Sequence, residues 1–319
     1  MSSTGWLAGY GPATRELVTR VGERWPEHRP HLERRFTGTA ASAAIAEFLA
    51  GRILQILGER LEAGIQDYRW MCQKILEEEH FFGYADRYRH SSFAEVRAAV
   101  YDDTAYMARY TNGLLISQLL WANHTAALSC YRTEFLSLLR PQHELLEVGP
   151  GHGLLLALAA ERLHTPVSGW DVSATSLDAT RRALSAMGIA SVRLARTDLL
   201  EASGAERFDA VVASELLEHL EDPATALSRL RDVTRPGGRL FLNIPINSPA
   251  PDHIYLWRTP EEVYEFIMSK GLDITGFHTY PMTGMSEAQA RAAELTMTCV
   301  AVCRRPGRES GSRERHSRE

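Results

Sequence analysis

The chain has 319 residues, of which 45% are hydrophobic and 24% charged, with four cysteines and a formal net charge of −5. That composition excludes a collagen-like repeat, a disulfide scaffold and a largely disordered chain, and its mild acidity supplies no field for nucleic acid, leaving small molecules as the expected partners. No apolar run reaches the ~20 residues that cross a bilayer and no charged-then-apolar leader opens the chain, so the expectation is no membrane partner and a cytoplasmic protein.

The first forty residues, rich in Gly, Pro, Arg and Thr, read as irregular with one helix near Pro12 to Gly22. From Thr39 to about Glu79, Ile45, Phe48, Leu49, Ile53, Ile56, Leu57, Leu61 and Ile65 recur at three- and four-residue intervals, which predicts helix. Further helices are expected around Ser92 to Asp102 and Asn112 to Leu139, giving a mostly helical domain over residues 1–140. From Glu144 short apolar runs alternate with helical stretches. Strands are expected at 144–148, 167–171, 192–196, 208–213, 239–245, 273–280 and 295–303, with helices near 152–163, 173–187, 216–233 and 260–270. Such alternation predicts an α/β fold, a doubly wound seven-stranded sheet over residues 141–303. Only a loop is expected between the last two strands, so the final one is expected to run antiparallel. Residues 304–319 carry six Arg and no apolar anchor and read as a disordered tail. Cys72, Cys130, Cys299 and Cys303 lack CxxC spacing and read as buried thiols without a redox role.

The first strand runs into Glu147-Val148-Gly149-Pro150-Gly151-His152-Gly153 and then a helix. Glycines there let backbone approach a ligand, and the helix N-terminus adds N–H donors. The GxGxG spacing disfavours a pyrophosphate cradle. Asp171 ends the second strand, where a carboxylate can accept two ribose hydroxyls, and Asp198 follows the third, placed to meet an adenine amino group.

After the fourth strand comes Ser214-Glu215-Leu216-Leu217-Glu218-His219. A helix starting near Ser214 would project Glu215, Glu218 and His219 from one face. The loop after the neighbouring fifth strand carries His253, within reach of that face. Two carboxylates and two imidazoles suit a divalent ion such as Mg²⁺, Mn²⁺, Fe²⁺ or Zn²⁺. The alternatives are metal-free catalysis by His219 or His253, and solvent-facing helix residues without a chemical role.

EVGPGHG, Asp171, TDL at 197–199, FDAVVASELLEHLEDP at 208–223 and RPGGRLFLNIP at 235–245 together resemble the class I S-adenosylmethionine-dependent methyltransferases. The resemblance covers about half the chain. It implies a Rossmann-like methyltransferase sheet with S-adenosylmethionine as cofactor. It places Glu147, Gly149, Gly151 and Gly153 at the methionyl end, Asp171 at the ribose, Asp198 and Leu199 around the adenine, and Ser214 and Glu215 beside the methyl group. ExxEH with a later His is similar to two metal-using branches, the ubiquinone-pathway O-methyltransferases and the small-RNA 2′-O-methyltransferases. In both, the resemblance implies, the ion lowers the pKa of the accepting oxygen.

The resulting expectation is divalent-metal-assisted O-methylation of a small, natural-product-like molecule in secondary metabolism. Methylation at N or C is the alternative, and RNA 2′-O-methylation ranks lower because the basic residues of that branch are missing. The aromatic-rich helical domain is expected to cap the strand ends and hold substrate specificity. Its competing readings are an ordinary helical core or a homodimer face.

Overall fold

A computed structural model describes residues 5–37, 40–202 and 207–307. The Gly/Pro-rich start contains more helix than the composition suggests: α1 (Pro12–Arg24) and α2 (Arg29–Arg35) each open on a proline near the first turn, where its missing N–H costs nothing. Then follow α3 (Ala40–Leu57), α4 (Leu61–Ala85), α5 (Phe93–Val96), a π-turn at Arg97–Tyr101, α6 (Thr104–Leu120), α7 (Ala122–Cys130) and a second π-turn at Tyr131–Phe135. Asp103 begins α6 by accepting the N–H groups of Ala105 and Tyr106, both at 2.9 Å.

The rest of the described chain winds into β1 (Leu145–Val148), α8 (Leu154–Arg162), β2 (Val167–Asp171), α9 (Ala174–Ala186), β3 (Val192–Arg196), β4 (Phe208–Ser214), α10 (Pro223–Val233), β5 (Thr234–Ile246), α11 (Pro260–Ser269), β6 (Asp273–Pro281), α12 (Glu287–Ala292) and β7 (Met297–Arg304). The seven strands form one sheet in the order β3-β2-β1-β4-β5-β7-β6. β1 to β5 pair in parallel, and β7 inserts antiparallel between β5 and β6. The antiparallel last strand was expected, but the short helix α12 was not. Its six residues are too few for a periodic signal, and Ser286 with Gln289 forms its capping box. The residues expected as a tail lie outside the described residues from 308 onward.

Both sheet faces are covered, and β7 shows how: Val300 and Val302 join one buried cluster, Cys299, Ala301 and Cys303 the other. The first cluster contains α8, α9 and most of the N-terminal helices, from Leu7 through Leu119 to Phe135, packed with Phe241 and Val300. The second contains residues of α10, α11 and α12. The helical region and the sheet therefore share one core across Pro141. No helix among the described residues is long and apolar enough to cross a membrane.

Candidate active site

Parallel strands β1, β2, β4 and β5 end on the same edge, and the loops leaving that edge carry the candidate residues. After β1, Gly149, Gly151 and Gly153 have φ of +72°, +49° and +76°, a region glycine enters without the steric cost of a side chain. Nothing lies within 4 Å of where a Cβ on Gly151 would sit. The loop is held by Gly149 N–H donating to Trp170 at 2.8 Å and by Thr180 Oγ1 donating to the Gly151 carbonyl at 2.8 Å. Glu147 beneath it is 2% exposed, and its Oε2 has no hydrogen-bond partner. Burial pushes its carboxyl well above the usual range. Asp171 ends β2, where its carboxylate accepts Ser173 N–H and Ser176 Oγ–H at 2.8 and 2.6 Å. Asp198 accepts Leu200 N–H at 2.8 Å, and Leu199 is buried in the second core cluster.

The expected helix from Ser214 does not form. Glu215 adopts φ +50°, and only the single 3₁₀ turn Leu217–His219 precedes α10. α10 starts where Asp222 caps and Pro223 takes the first helical position. Left-handed backbone at a non-glycine residue is uncommon and costs of order 1–3 kcal/mol, and such strain clusters at functional sites. Asn247, directly after the neighbouring strand β5, is left-handed too, at φ +45°. The two strand ends are stitched together by Glu215 N–H to the Asn243 carbonyl and by Asn243 Nδ2 to Ser214 Oγ, both at 2.9 Å.

The loop 247–258 is closed at its base by Asn247, whose N–H reaches the Trp257 carbonyl and whose Nδ2 reaches that of Arg258. Its tip is hung from the Glu218 carbonyl, which accepts Ile254 and Tyr255 N–H at 2.8 and 2.9 Å. This brings His253 to the 3₁₀ turn. Glu218, His219 and His253 each place a ligand atom within 4.8 Å of the others, and the two imidazole centroids are 5.0 Å apart.

Tautomers follow from the partners. His219 Nδ1 is 2.9 Å from the Asp252 carbonyl and His253 Nδ1 is 2.6 Å from that of Ser248. A carbonyl can only accept, so each Nδ1 carries a proton, and a neutral ring in this tautomer presents its lone pair at Nε2. Burial, with His219 beside it, lowers the His253 pKa to about 4, which keeps the ring neutral. Glu218 is fully buried, and neither carboxylate oxygen has a partner of ordinary hydrogen-bond geometry. Burial and the charges of Glu215 and Asp252 push its carboxyl well up, while nearby backbone N–H groups of Glu218 and Leu216 offset part of this. Glu215 is outside the 4.8 Å group. Burial, then Asp252, raises its pKa to about 8, and its Oε1 has no partner. Buried carboxylate oxygens without ordinary partners, beside the Nε2 atoms of two imidazoles, are donor types that would suit a divalent cation.

Asp252 was not anticipated as part of this site. Its carboxylate lies 3.5 Å from His219 Nδ1 and accepts Tyr110 OH at 3.0 Å and Tyr101 OH at 3.4 Å. Tyr88 OH accepts the Ser248 N–H at 3.1 Å, and its ring meets His253 edge-on at 5.6 Å. The segment from α4 to α6 thus braces the loop that carries His253. Two open clefts, one lined by Arg24, Trp25, Arg69, Trp70 and Arg109 and one by Tyr264, Phe277 and Arg291, include none of these residues.

A seven-stranded sheet with this strand order and a glycine loop after β1 defines a Rossmann-like fold of the methyltransferase kind. Residues 146–240 match the methyltransferase domain family. The chain is 30% identical over 149 residues to a ubiquinone biosynthesis O-methyltransferase of Cereibacter sphaeroides, covering 40% of this chain and 60% of that protein. It is 41% identical over 97 residues to an uncharacterized methyltransferase of Mycobacterium tuberculosis, covering 30% and 47%. Among solved structures, a chain in the complex of the Haloferax volcanii Trm112 methyltransferase activator with a methyltransferase superposes at TM-score 0.51 and 15% identity, over 66% of this chain and all of that one. The alignments thus span about half to 60% of these curated relatives. Residues 146–240 of the chain are thus a methyltransferase domain by sequence similarity.

Proposed function

We propose that the protein is an O-methyltransferase that uses S-adenosylmethionine and a divalent cation to methylate a hydroxyl of a small molecule bearing two neighbouring oxygens. One observation carries the reading: Glu218, His219 and His253 converge at the ends of β4 and β5, with both Nδ1 atoms held by backbone carbonyls and a carboxylate without ordinary hydrogen-bond partners.

S-adenosylmethionine supplies the sulfonium methyl. The glycine loop would take its methionyl end, and the orphaned Glu147 oxygen would receive the ammonium group. Asp171, already fixed by Ser173 and Ser176, would offer its remaining lone pairs to ribose hydroxyls, while Asp198 and Leu199 would border the adenine. Ser214 and Glu215 would lie beside the methyl group. Glu218, His219 and His253 would hold the cation, with Glu215 available as a fourth ligand, and a cation there would supply the Lewis acidity that makes a hydroxyl nucleophilic near neutral pH. The chain's own work is then positioning: in-line approach of acceptor oxygen to methyl.

The helices α4 to α6 form the substrate side of the pocket in this reading, and a natural-product role fits an added region of this size. A second reading has its own observation. Asp252 lies against His219 Nδ1, an arrangement that would let His219 Nε2 act as a general base without metal.

Stripping the protein with a chelator and restoring Mn²⁺ or Mg²⁺ separates the two on a panel of catechols, single phenols and amines. Activity on catechols that vanishes with chelation and returns with the ion supports the first. Full activity in stripped protein overturns it in favour of His219 as base, and product methylated at nitrogen overturns the O-methyltransferase assignment.

A further inference from the structure

Away from that site, Cys130, Glu134 and His278 place a thiol, a carboxylate oxygen and an imidazole nitrogen within 4.8 Å of one another. Cys130 ends α7, and Glu134 follows in the π-turn Tyr131–Phe135, a distortion that recurs at functional positions. His278 stands on β6, the edge strand of the sheet. Its Nε2 is 2.8 Å from Glu134 Oε2, and Tyr280 stacks on its ring at 6.0 Å. Gly276, on the same face of β6, leaves the approach open, since a Cβ there would lie 3.7 Å from His278 Nε2 and 3.8 Å from Glu134 Oε2.

We propose that Cys130, Glu134 and His278 bind a zinc-class divalent ion, with water in the fourth position, clipping the turn after α7 to the sheet's edge strand. The ligand chemistry selects the ion. A thiolate with an imidazole favours Zn²⁺ or Co²⁺ over Mg²⁺ or Mn²⁺. Bonds of about 2.0 Å to N and O and about 2.3 Å to S put tetrahedral ligand atoms roughly 3.3–3.7 Å apart, so the His278–Glu134 pair needs to open by only some tenths of an ångström.

Binding is balanced in protons. The Cys130 thiol proton leaves to solvent as the S–metal bond forms, and His278 moves its ring proton to Nδ1 while Nε2 becomes a ligand. Burial and the neighbouring Glu134 hold the metal-free thiol near a pKa of about 12, and coordination deprotonates such a thiol outright. The proposal stands apart from the catalytic reading, because Glu218, His219 and His253 contain no sulfur.

The test is titration of the metal-stripped full chain with Co²⁺, read by the near-ultraviolet charge-transfer absorption that requires a cobalt–thiolate bond. The expected result is one equivalent of that band in wild type and in His253→Ala, and its loss in Cys130→Ser and His278→Ala. His278 is part-exposed, so His278→Ala keeps the test valid should Cys130→Ser misfold, with far-ultraviolet circular dichroism checking both. Zn²⁺ should raise the thermal midpoint of wild type by several degrees more than that of His278→Ala. No charge-transfer band in wild type, a band unchanged in His278→Ala, or equal midpoint shifts in the two proteins would each overturn the proposal.

Discussion

At Glu215 the backbone does something its residue type resists. A non-glycine side chain at φ +50° costs about 1–2 kcal/mol, and the carboxyl it delivers is buried against Asp252 and close enough to raise the pKa of Glu218. Its Oε1 finds no partner in the protein, whereas a cation or an acceptor hydroxyl at the strand end would supply one. Glu215→Gly should therefore raise stability by about 1 kcal/mol, the backbone relief being offset in part by glycine's larger unfolded-state entropy, while lowering turnover at least tenfold. Urea melts and initial rates on the same preparation check it. A variant that is both less stable and fully active contradicts the argument.

Glu218 gives a second residue-scale expectation. Two oxygens without partners of ordinary geometry mean that Glu218→Gln removes an anionic ligand while disturbing only the weak contacts with the Glu218 and Leu216 N–H groups. Folding stability should stay level or rise in metal-free protein, and Mn²⁺ affinity should fall by at least the 10- to 100-fold typical of losing even an outer-shell partner. Calorimetric titration with Mn²⁺ and a thermal melt without it measure the two halves.

Whole elements differ in how plainly the sequence announces them. β2 and β3 fall on the expected residues, and β4 and β6 end one residue later, because β-branched and apolar runs bounded by Gly, Pro and Asp are a short-range signal. The run 216–233 misleads, since Leu216, Leu217 and Leu220 imitate a helical stripe. The stop is written instead in Asp222-Pro223, which can only start a helix there, and in a left-handed Glu215 that no side-chain pattern reveals. The grouping of Glu218, His219 and His253 was legible because neighbouring parallel strands bring their exit loops together. Asp252 was not, since its role depends on Tyr101 and Tyr110 from an element about 150 residues earlier.

The helix ends also carry a pH response. His28, between α1 and α2, stacks on Trp25 at 4.0 Å and bonds Tyr68 OH at 2.9 Å; His124 in α7 bonds Ser117 Oγ at 2.9 Å. Burial lowers both pKa values to about 3, with His31 and His152 respectively adding to it. A histidine lowered in the folded state is protonated first in the unfolded chain, so the unfolded state gains as pH falls below about 6.5, and the loss continues toward pH 3. By pH 5 the two together should cost roughly 2–4 kcal/mol, at up to 1.36 kcal/mol per unit each. Urea midpoints at pH 7.5 and 5 read this directly. His124→Gln should flatten the dependence; an unchanged slope would show that the His124 ring is not kept neutral by burial.

For the molecule as a whole, the helical region does two jobs that a separate appendage would not. One part completes the core under the sheet, where Tyr131, Phe135 and Phe241 pack ring to ring at 5.1–5.6 Å. Another part reaches over the strand ends, where Tyr88 braces Ser248 and His253, and Tyr101 and Tyr110 hold Asp252. Stability and site geometry therefore share a source, and one substitution can separate them. Tyr110→Phe keeps the ring in the core and removes only the hydroxyl that donates to Asp252, at a cost of about 1–2 kcal/mol for a buried acceptor left short of a donor. The glycine loop and Asp171 are on other strand ends, so affinity for S-adenosylmethionine should stay within a factor of two by calorimetry. The loop carrying His253 loses one of its anchors, so Mn²⁺ affinity and the rate with bound acceptor should both fall several-fold. A variant in which cofactor affinity falls as much as metal affinity would mean that the helical region supports the sheet in general and does not position the His253 loop.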